Sequence, residues 1–181
     1  EFDAKKVAHG MGTAMQHRGP DGEGIWQEED LLFVHRRLAV IDTSSAGDQP
    51  MTSACGRFVI VFNGEIYNYQ TIREELERDK HAPSWRGHSD TETILAAFCA
   101  YGVKDTLQKL VGMFAIALWD RQDRTMVLAR DRAGEKPLYY TTKDNTLIFG
   151  SDLSSFLAYP KFSAKLDRRA PKTFLRYGYI P

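Results

Sequence analysis

Four strand-like runs follow one another with no helix between them: Met113 to Trp119, Thr125 to Arg130, Pro137 to Thr142 and Leu147 to Phe149. Polar turns at Asp120-Arg121-Gln122-Asp123 and Lys143-Asp144-Asn145 make two of the connections hairpins. Helical periodicity is confined to other stretches. Val7, Met11 and Met15 share one face of a segment over about 4 to 17, and Ile72 and Leu76 oppose Glu74, Glu75 and Glu77 over 69 to 78. Ile94, Leu95, Phe98 and Tyr101 line one face of a third helix, whose first N–H groups Asp90 is placed to cap and which Gly102 ends. Shorter helices are expected over about 104 to 110 and 151 to 158. Strands and helices kept in separate runs predict an α+β fold of stacked layers, not an alternating parallel one.

Between these elements, His17-Arg18-Gly19-Pro20-Asp21-Gly22 stops the first helix, since two glycines and a proline do not continue it cheaply. Short strands are expected at Ile25-Trp26, Leu31 to His35 and Leu38 to Asp42, and surface loops at 43 to 51 and 80 to 88. Arg57 to Phe62 reads as a strand running into Asn63-Gly64, a turn signal. The 181 residues, 43% of them apolar, suffice for one domain with a continuous core. Because 24 basic and 24 acidic residues cancel, no overall field draws in nucleic acid or an anionic membrane. No run approaches a membrane span and the chain opens on Glu1-Phe2-Asp3-Ala4-Lys5-Lys6, so a cytoplasmic location is the default expectation. Cys55 and Cys99 are too few for a disulfide framework or a thiolate metal site and are expected to be reduced, inert and apolar in role. His35, His81 and His88 lack metal-ligand spacing.

Three short segments carry the chemistry: Arg37-Leu38-Ala39-Val40-Ile41-Asp42, Asn63-Gly64-Glu65-Ile66-Tyr67-Asn68 and Ser89-Asp90-Thr91-Glu92. Each sets a polar side chain beside an apolar run that can hold it still over a pocket. Together they offer a guanidinium, an amide beside a glycine N–H, and a carboxylate. Those groups complement a free amino acid and the oxyanion formed when its side chain is attacked. Each residue alone also has an ordinary structural role: Arg37 in a strand ion pair, Asn63-Gly64 as a hairpin turn, Asp90 as a helix cap.

These segments, with Gln49-Pro50-Met51, His17-Arg18-Gly19-Pro20-Asp21, Asp131-Arg132-Ala133-Gly134-Glu135-Lys136-Pro137 and the closing Leu175-Arg176-Tyr177-Gly178-Tyr179-Ile180-Pro181, occur in the order of a known family. The chain resembles, over nearly its whole length, the glutaminase domain of glutamine-hydrolysing asparagine synthetases. That family belongs to the class II amidotransferases, whose N-terminal-nucleophile hydrolase fold is a four-layer αββα sandwich of two antiparallel sheets. The resemblance implies that an N-terminal cysteine thiolate attacks the side-chain amide of L-glutamine, releases ammonia, and leaves a glutamyl thioester for water to cleave. Its own α-amine, titrating near about 7.7 to 8.0, would be the base. By the same resemblance Asn63 and Gly64 form the oxyanion hole, and Arg37 holds the α-carboxylate through a bidentate fork. Asp90 would hold the α-ammonium, with Glu65 and the backbone of Leu38, Ala39, Val40 and Ile41 lining the pocket.

The sequence departs from the family at its start, since Glu1-Phe2 stands where such domains show Met-Cys-Gly-Ile. The expectation is one amidotransferase domain over 1 to 181 whose first strand, with its nucleophile, precedes Phe2. The tail from Arg168 reads as a lead into an absent C-terminal domain, which would take ATP and magnesium and pass ammonia to aspartate or a related carboxylate. No phosphate-binding loop appears here, so this domain is expected to hold no cofactor or metal. The alternative is a non-catalytic scaffold, as in cyclising relatives that keep the fold without hydrolysis. Sugar-phosphate and phosphoribosyl amidotransferases usually show Arg-Trp-Ala-Thr-His-Gly where this chain has Arg37 to Asp42. The resemblance also implies a homodimer.

Overall fold

In the computed structural model, residues 3–165 and 167–179 are described. Helix α1 (Ala4–Ala14) is capped by Asp3, whose carboxylate accepts the N–H groups of Lys5 and Lys6. A 3-10 turn over Gln16–Arg18 leads to strands β1 (Gly22–Glu28) and β2 (Leu31–Arg37), an antiparallel hairpin with Gly22 opposite Arg37. There follow β3 (Met51–Thr52), β4 (Phe58–Ile66), α2 (Tyr69–Arg78), α3 (Asp90–Tyr101) and α4 (Val103–Lys109). The chain continues through β5 (Gly112–Asp120), β6 (Thr125–Arg130), β7 (Tyr139–Lys143), β8 (Thr146–Gly150), α5 (Ser154–Leu157) and α6 (Arg169–Tyr177).

The strands form a four-stranded antiparallel sheet, β3-β4-β5-β6, and two hairpins, β1-β2 and β7-β8. The alternation along β4 builds two cores at once. Phe58, Ile60, Phe62 and Ile66 pack on one face with Ile72 and Leu76 of α2 and Ile94, Leu95 and Phe98 of α3. Val59, between them in sequence, points to the opposite face and meets Phe33 of β2 and Ala117 of β5. Phe149 of β8 stands edge-on to Phe33 with centroids 5.8 Å apart, so both hairpins cover that second face. Outside them α1 packs on β2 and α5, and Ser154 Oγ donates to the Ala14 carbonyl at 3.2 Å. The order helices, sheet, hairpins, helices is the expected αββα stack.

Local expectations fail in four places. Leu38 to Asp42 is a loop, not a strand; Leu38 and Val40 are 61% and 69% exposed, so their alternation serves no sheet. Asn63-Gly64 makes no turn, because β4 continues through it to Ile66 with Asn63 opposite Ala115 and Gly64 opposite Phe114. Ser89, not Asp90, caps α3: its hydroxyl accepts the N–H of Glu92 at 3.2 Å, and Asp90 is already the first helical residue. The helix expected over 151 to 158 shrinks to α5, and the tail carries the exposed helix α6. Among the described residues no helix is long and apolar enough to cross a membrane.

Candidate functional site

Arg37 ends β2, and its guanidinium is folded into the loop that follows. Nη1 donates to Asp48 Oδ1 at 2.6 Å and Nη2 donates to the Asp42 carbonyl. Gly47 makes room for this, since a Cβ there would lie 2.6 Å from Arg37 Nη2. The ion-pair role is therefore real, yet a guanidinium has about five N–H donors and keeps some for a ligand. The Ala39 N–H donates to Asp21 Oδ2 at 2.9 Å and moors the base of the loop.

Asp42 ties this loop to the one before α3. Its Oδ1 accepts the hydroxyl and N–H of Ser44 at 2.6 and 2.9 Å, and its Oδ2 accepts the N–H of His88 at 2.8 Å. Those donors, the Ser44 hydroxyl foremost, bring its carboxyl down to about 2. Glu92 reaches back to the N–H groups of Arg86 and Gly87 at 2.8 and 3.1 Å, fixing the same stretch from the helix side.

Asp90 is buried at the start of α3. Its Oδ1 accepts the Thr91 N–H at 2.8 Å and its Oδ2 accepts the Ile66 N–H of β4 at 3.0 Å. Burial raises its pKa against the pull of those two N–H groups, and the nearby Glu65 carboxylate adds to the rise. An unneutralised carboxylate in this position favours a cation beside it.

Strand β4 supplies the remaining groups. β3 covers it only at Val59 and Ile60, so its outer edge is open beyond. The Phe62 N–H turns to that edge and donates to Gln49 Oε1 at 2.6 Å, as the Ile66 N–H does to Asp90. The two-residue ladder period directs the Gly64 N–H the same way, away from β5. Asn63 and Glu65 share the face of Val59, toward the hairpins. Asn63 Nδ2 donates to Ser151 Oγ at 3.1 Å, which orients the amide.

A cleft of about 1320 Å³ opens between the sheet and the hairpins. Arg37, Leu38, Ala39, Val40, Ile41, Asn63, Gly64, Glu65 and Asp90 all line it, and so do Trp119, Met126 and Leu147 farther along. Neither cysteine is among the lining residues. Three supporting residues escape motif reading: Ser151, Asp42 as a bridge between loops, and Gln49, which also donates to Thr91 Oγ1 at 3.3 Å. Gln49 and Asp42 had a signal, as members of Gln49-Pro50-Met51 and of Arg37 to Asp42, but without their roles, and Ser151 had none.

His35 lines the cleft with its Nδ1 buried and unpartnered. Burial lowers its pKa to about 4, against the hydrogen bond with the Phe62 backbone and with help from Arg37. A depressed imidazole stabilises the fold fully above its unfolded pKa and loses that contribution as pH falls toward the folded one. Here the window runs from about 6.5 down to about 4 and carries roughly 3 kcal/mol. Unfolding free energies from urea titrations at pH 7 and pH 4 should differ less in His35→Gln than in the parent, by about that amount; equal differences would remove His35 from the acid response.

The layers and cleft define a class of protein. The glutamine phosphoribosylpyrophosphate amidotransferase of Bacillus subtilis, solved in complex with ADP and GMP, shares this fold with a TM-score of 0.69, covering 87% of this chain and 41% of that one at 20% identity. That is the N-terminal-nucleophile sandwich. The model of the glutamine amidotransferase domain matches residues 1–181, and the chain belongs to that family. It is 37% identical to asparagine synthetase [glutamine-hydrolyzing] 3 of Bacillus subtilis over 91% of this chain and 26% of that protein. It is 36% identical to asparagine synthetase [glutamine-hydrolyzing] 1 of the same organism over 99% of this chain and 28% of that protein. The chain thus spans about a quarter of the length of these curated relatives.

Proposed function

We propose that this chain is the glutaminase domain of an asparagine-synthetase-like ligase, hydrolysing L-glutamine to glutamate and ammonia. The observation that carries the reading is the open edge of β4: it turns the Gly64 N–H, beside the Asn63 amide, toward a cleft that Arg37 and Asp90 also line. A glutamine laid along the cleft would meet Arg37 with its α-carboxylate and Asp90 with its α-ammonium. The Asn63 amide and Gly64 N–H would then receive the oxygen that turns anionic when the side-chain carbonyl is attacked. Cys55 and Cys99 do not line the cleft, and by the family resemblance the attacking thiolate belongs to an N-terminal cysteine. Its α-amine takes the thiol proton, ammonia departs, and water cleaves the thioester.

Ammonia would pass to a synthetase domain of the same polypeptide and there to aspartate or a related carboxylate. By the family resemblance, ATP and magnesium would serve that synthetase domain. A homodimer, which rests on the resemblance alone, and a cytoplasmic setting, which is the default expectation, complete the reading.

The test uses the full-length protein: sequence its N-terminus and measure glutamate release from glutamine without acceptor. An N-terminal cysteine with glutamate release is expected. A cysteine start with no release, or release from a protein without one, overturns the mechanism; absence of both makes the domain a scaffold. Within the active protein, Arg37→Lys replaces a planar fork by a point charge. KM for glutamine should then rise about 10- to 100-fold with kcat nearly kept. Unchanged kinetics would remove Arg37 from the site.

A further inference from the structure

The β3–β4 turn is built tightly. The Gly56 N–H donates to the Ser53 carbonyl at 2.9 Å and the Phe58 N–H to Ser53 Oγ at 3.0 Å. Beneath it the buried rings of Phe58 and Phe98 lie 6.2 Å apart, which seats the turn on the later half of α3. Cys55 on the turn and Cys99 on the helix meet there with their sulfurs 2.9 Å apart, although 44 residues separate them in sequence. Both are exposed, contrary to the inert apolar role expected of them, and both are free thiols. A disulfide needs an S–S separation of about 2 Å, so little movement stands between this contact and a bond.

The pair is chemically unequal. Burial resists ionisation of Cys55, but hydrogen bonds from Cys99 and then from Ser53 Oγ, 3.3 Å away, outweigh it and lower its pKa. Cys99 is pushed up to about 12, by burial first and then by donating to Cys55. The Arg57 guanidinium, held by Asp120 and Asp123 at 2.6 and 2.8 Å, is the cation that favours a Cys55 thiolate. Glu28, Glu29 and Arg121 share the shallow depression around Cys55, and Arg121 is paired with Glu28.

We propose that Cys55 and Cys99 form an oxidisable dithiol that peroxide closes into an intramolecular disulfide, stapling the β3–β4 turn to α3. The Cys55 thiolate attacks one peroxide oxygen, the O–O bond breaks, and hydroxide leaves a sulfenic acid on Cys55. The Cys99 sulfur then attacks the Cys55 sulfur; the S–O bond breaks, and the departing hydroxide takes the Cys99 proton as water. Two thiol sulfurs are each oxidised by one electron, and the two peroxide oxygens are reduced. The staple joins β4, which carries Asn63 and Gly64, to α3, which carries Asp90, and it stands whether or not the domain hydrolyses glutamine.

Full-length protein is treated with hydrogen peroxide, quenched with catalase, blocked with N-ethylmaleimide and digested with trypsin. Cys55 falls in peptide 38–57 and Cys99 in peptide 87–104, each with a single cysteine. A linked 38–57/87–104 species is expected after peroxide, absent before it, and lost with dithiothreitol. Cys99→Ser should abolish the link and leave a Cys55 sulfenic acid that dimedone traps, and Cys55→Ser should oxidise at Cys99 about tenfold more slowly than the parent does at Cys55. The oxidised parent should melt about 5–15 °C higher than the reduced one. Both peptides recovered fully alkylated after peroxide would overturn the proposal. So would Cys99 oxidising in Cys55→Ser at the parental rate, or a linked species with no rise in Tm. Each variant exchanges an exposed thiol for a hydroxyl, and circular dichroism of the untreated variants checks that the fold is kept.

Discussion

Replacing Asn63 with alanine should lower kcat for glutamine hydrolysis by about 100- to 1,000-fold, equivalent to about 2.7–4 kcal/mol of barrier, while KM moves little. The reason is positional. Asn63 faces the cleft from a strand fixed on one side by nine paired positions with β5, so its amide sits still without help from the substrate. Ser151 Oγ takes one amide hydrogen at 3.1 Å; on the proposed reading the other serves the oxyanion, which forms only as the reaction proceeds. Ser151→Ala should therefore act in the same direction but more weakly, by about tenfold in kcat, since it frees the amide to rotate without removing it. A loss confined to KM in Asn63→Ala would place the residue in ground-state binding instead. Gly64 is a poor test of the same hole: a Cβ there would lie 2.1 Å from the Met113 carbonyl oxygen of β5, so substitution breaks the sheet before it reports on chemistry.

The layered fold was legible because the strand runs and helix runs alternate so seldom, and β5 and β6 fall within a residue of where their periodicity places them. Asn63-Gly64 was misread for a physical reason. A short dipeptide's turn preference is small beside pairing of the whole strand with β5, so tertiary contact decided its conformation. Leu38 to Asp42 failed in the opposite sense: its apolar alternation marks side chains lining a cleft, and no strand pairs with it. The candidate site residues came from a resemblance and line one cleft, but the bonds that assemble them were not legible. The Asp42 carboxylate meets the His88 N–H across 46 residues, and Cys55 meets Cys99 across 44; such contacts have no periodicity and appear only when the loops are folded together.

The second large effect is expected at Asp90. Asp90→Asn should raise KM for glutamine by about 100- to 1,000-fold, the range expected when one partner of a desolvated charge pair is lost, with a much smaller change in kcat. Part of any such loss could be structural, since the parent carboxylate receives two N–H groups, from Ile66 and Thr91, on separate oxygens. Asparagine has one carbonyl oxygen for both, and an orphaned N–H costs about 1–3 kcal/mol of stability. A thermodynamic cycle separates the two. Glutaramate, which is glutamine without its α-amino group, should bind the parent as weakly as glutamine binds Asp90→Asn, and the variant should treat the two ligands nearly alike. Acidification gives an independent sign: because burial raises the Asp90 pKa, affinity for glutamine should begin to fall at a higher pH than an ordinary carboxylate would dictate, and Asp90→Asn should lack that limb. If removing the amino group weakens binding equally in parent and variant, Asp90 does not touch the ammonium, and its work is confined to holding β4 to α3.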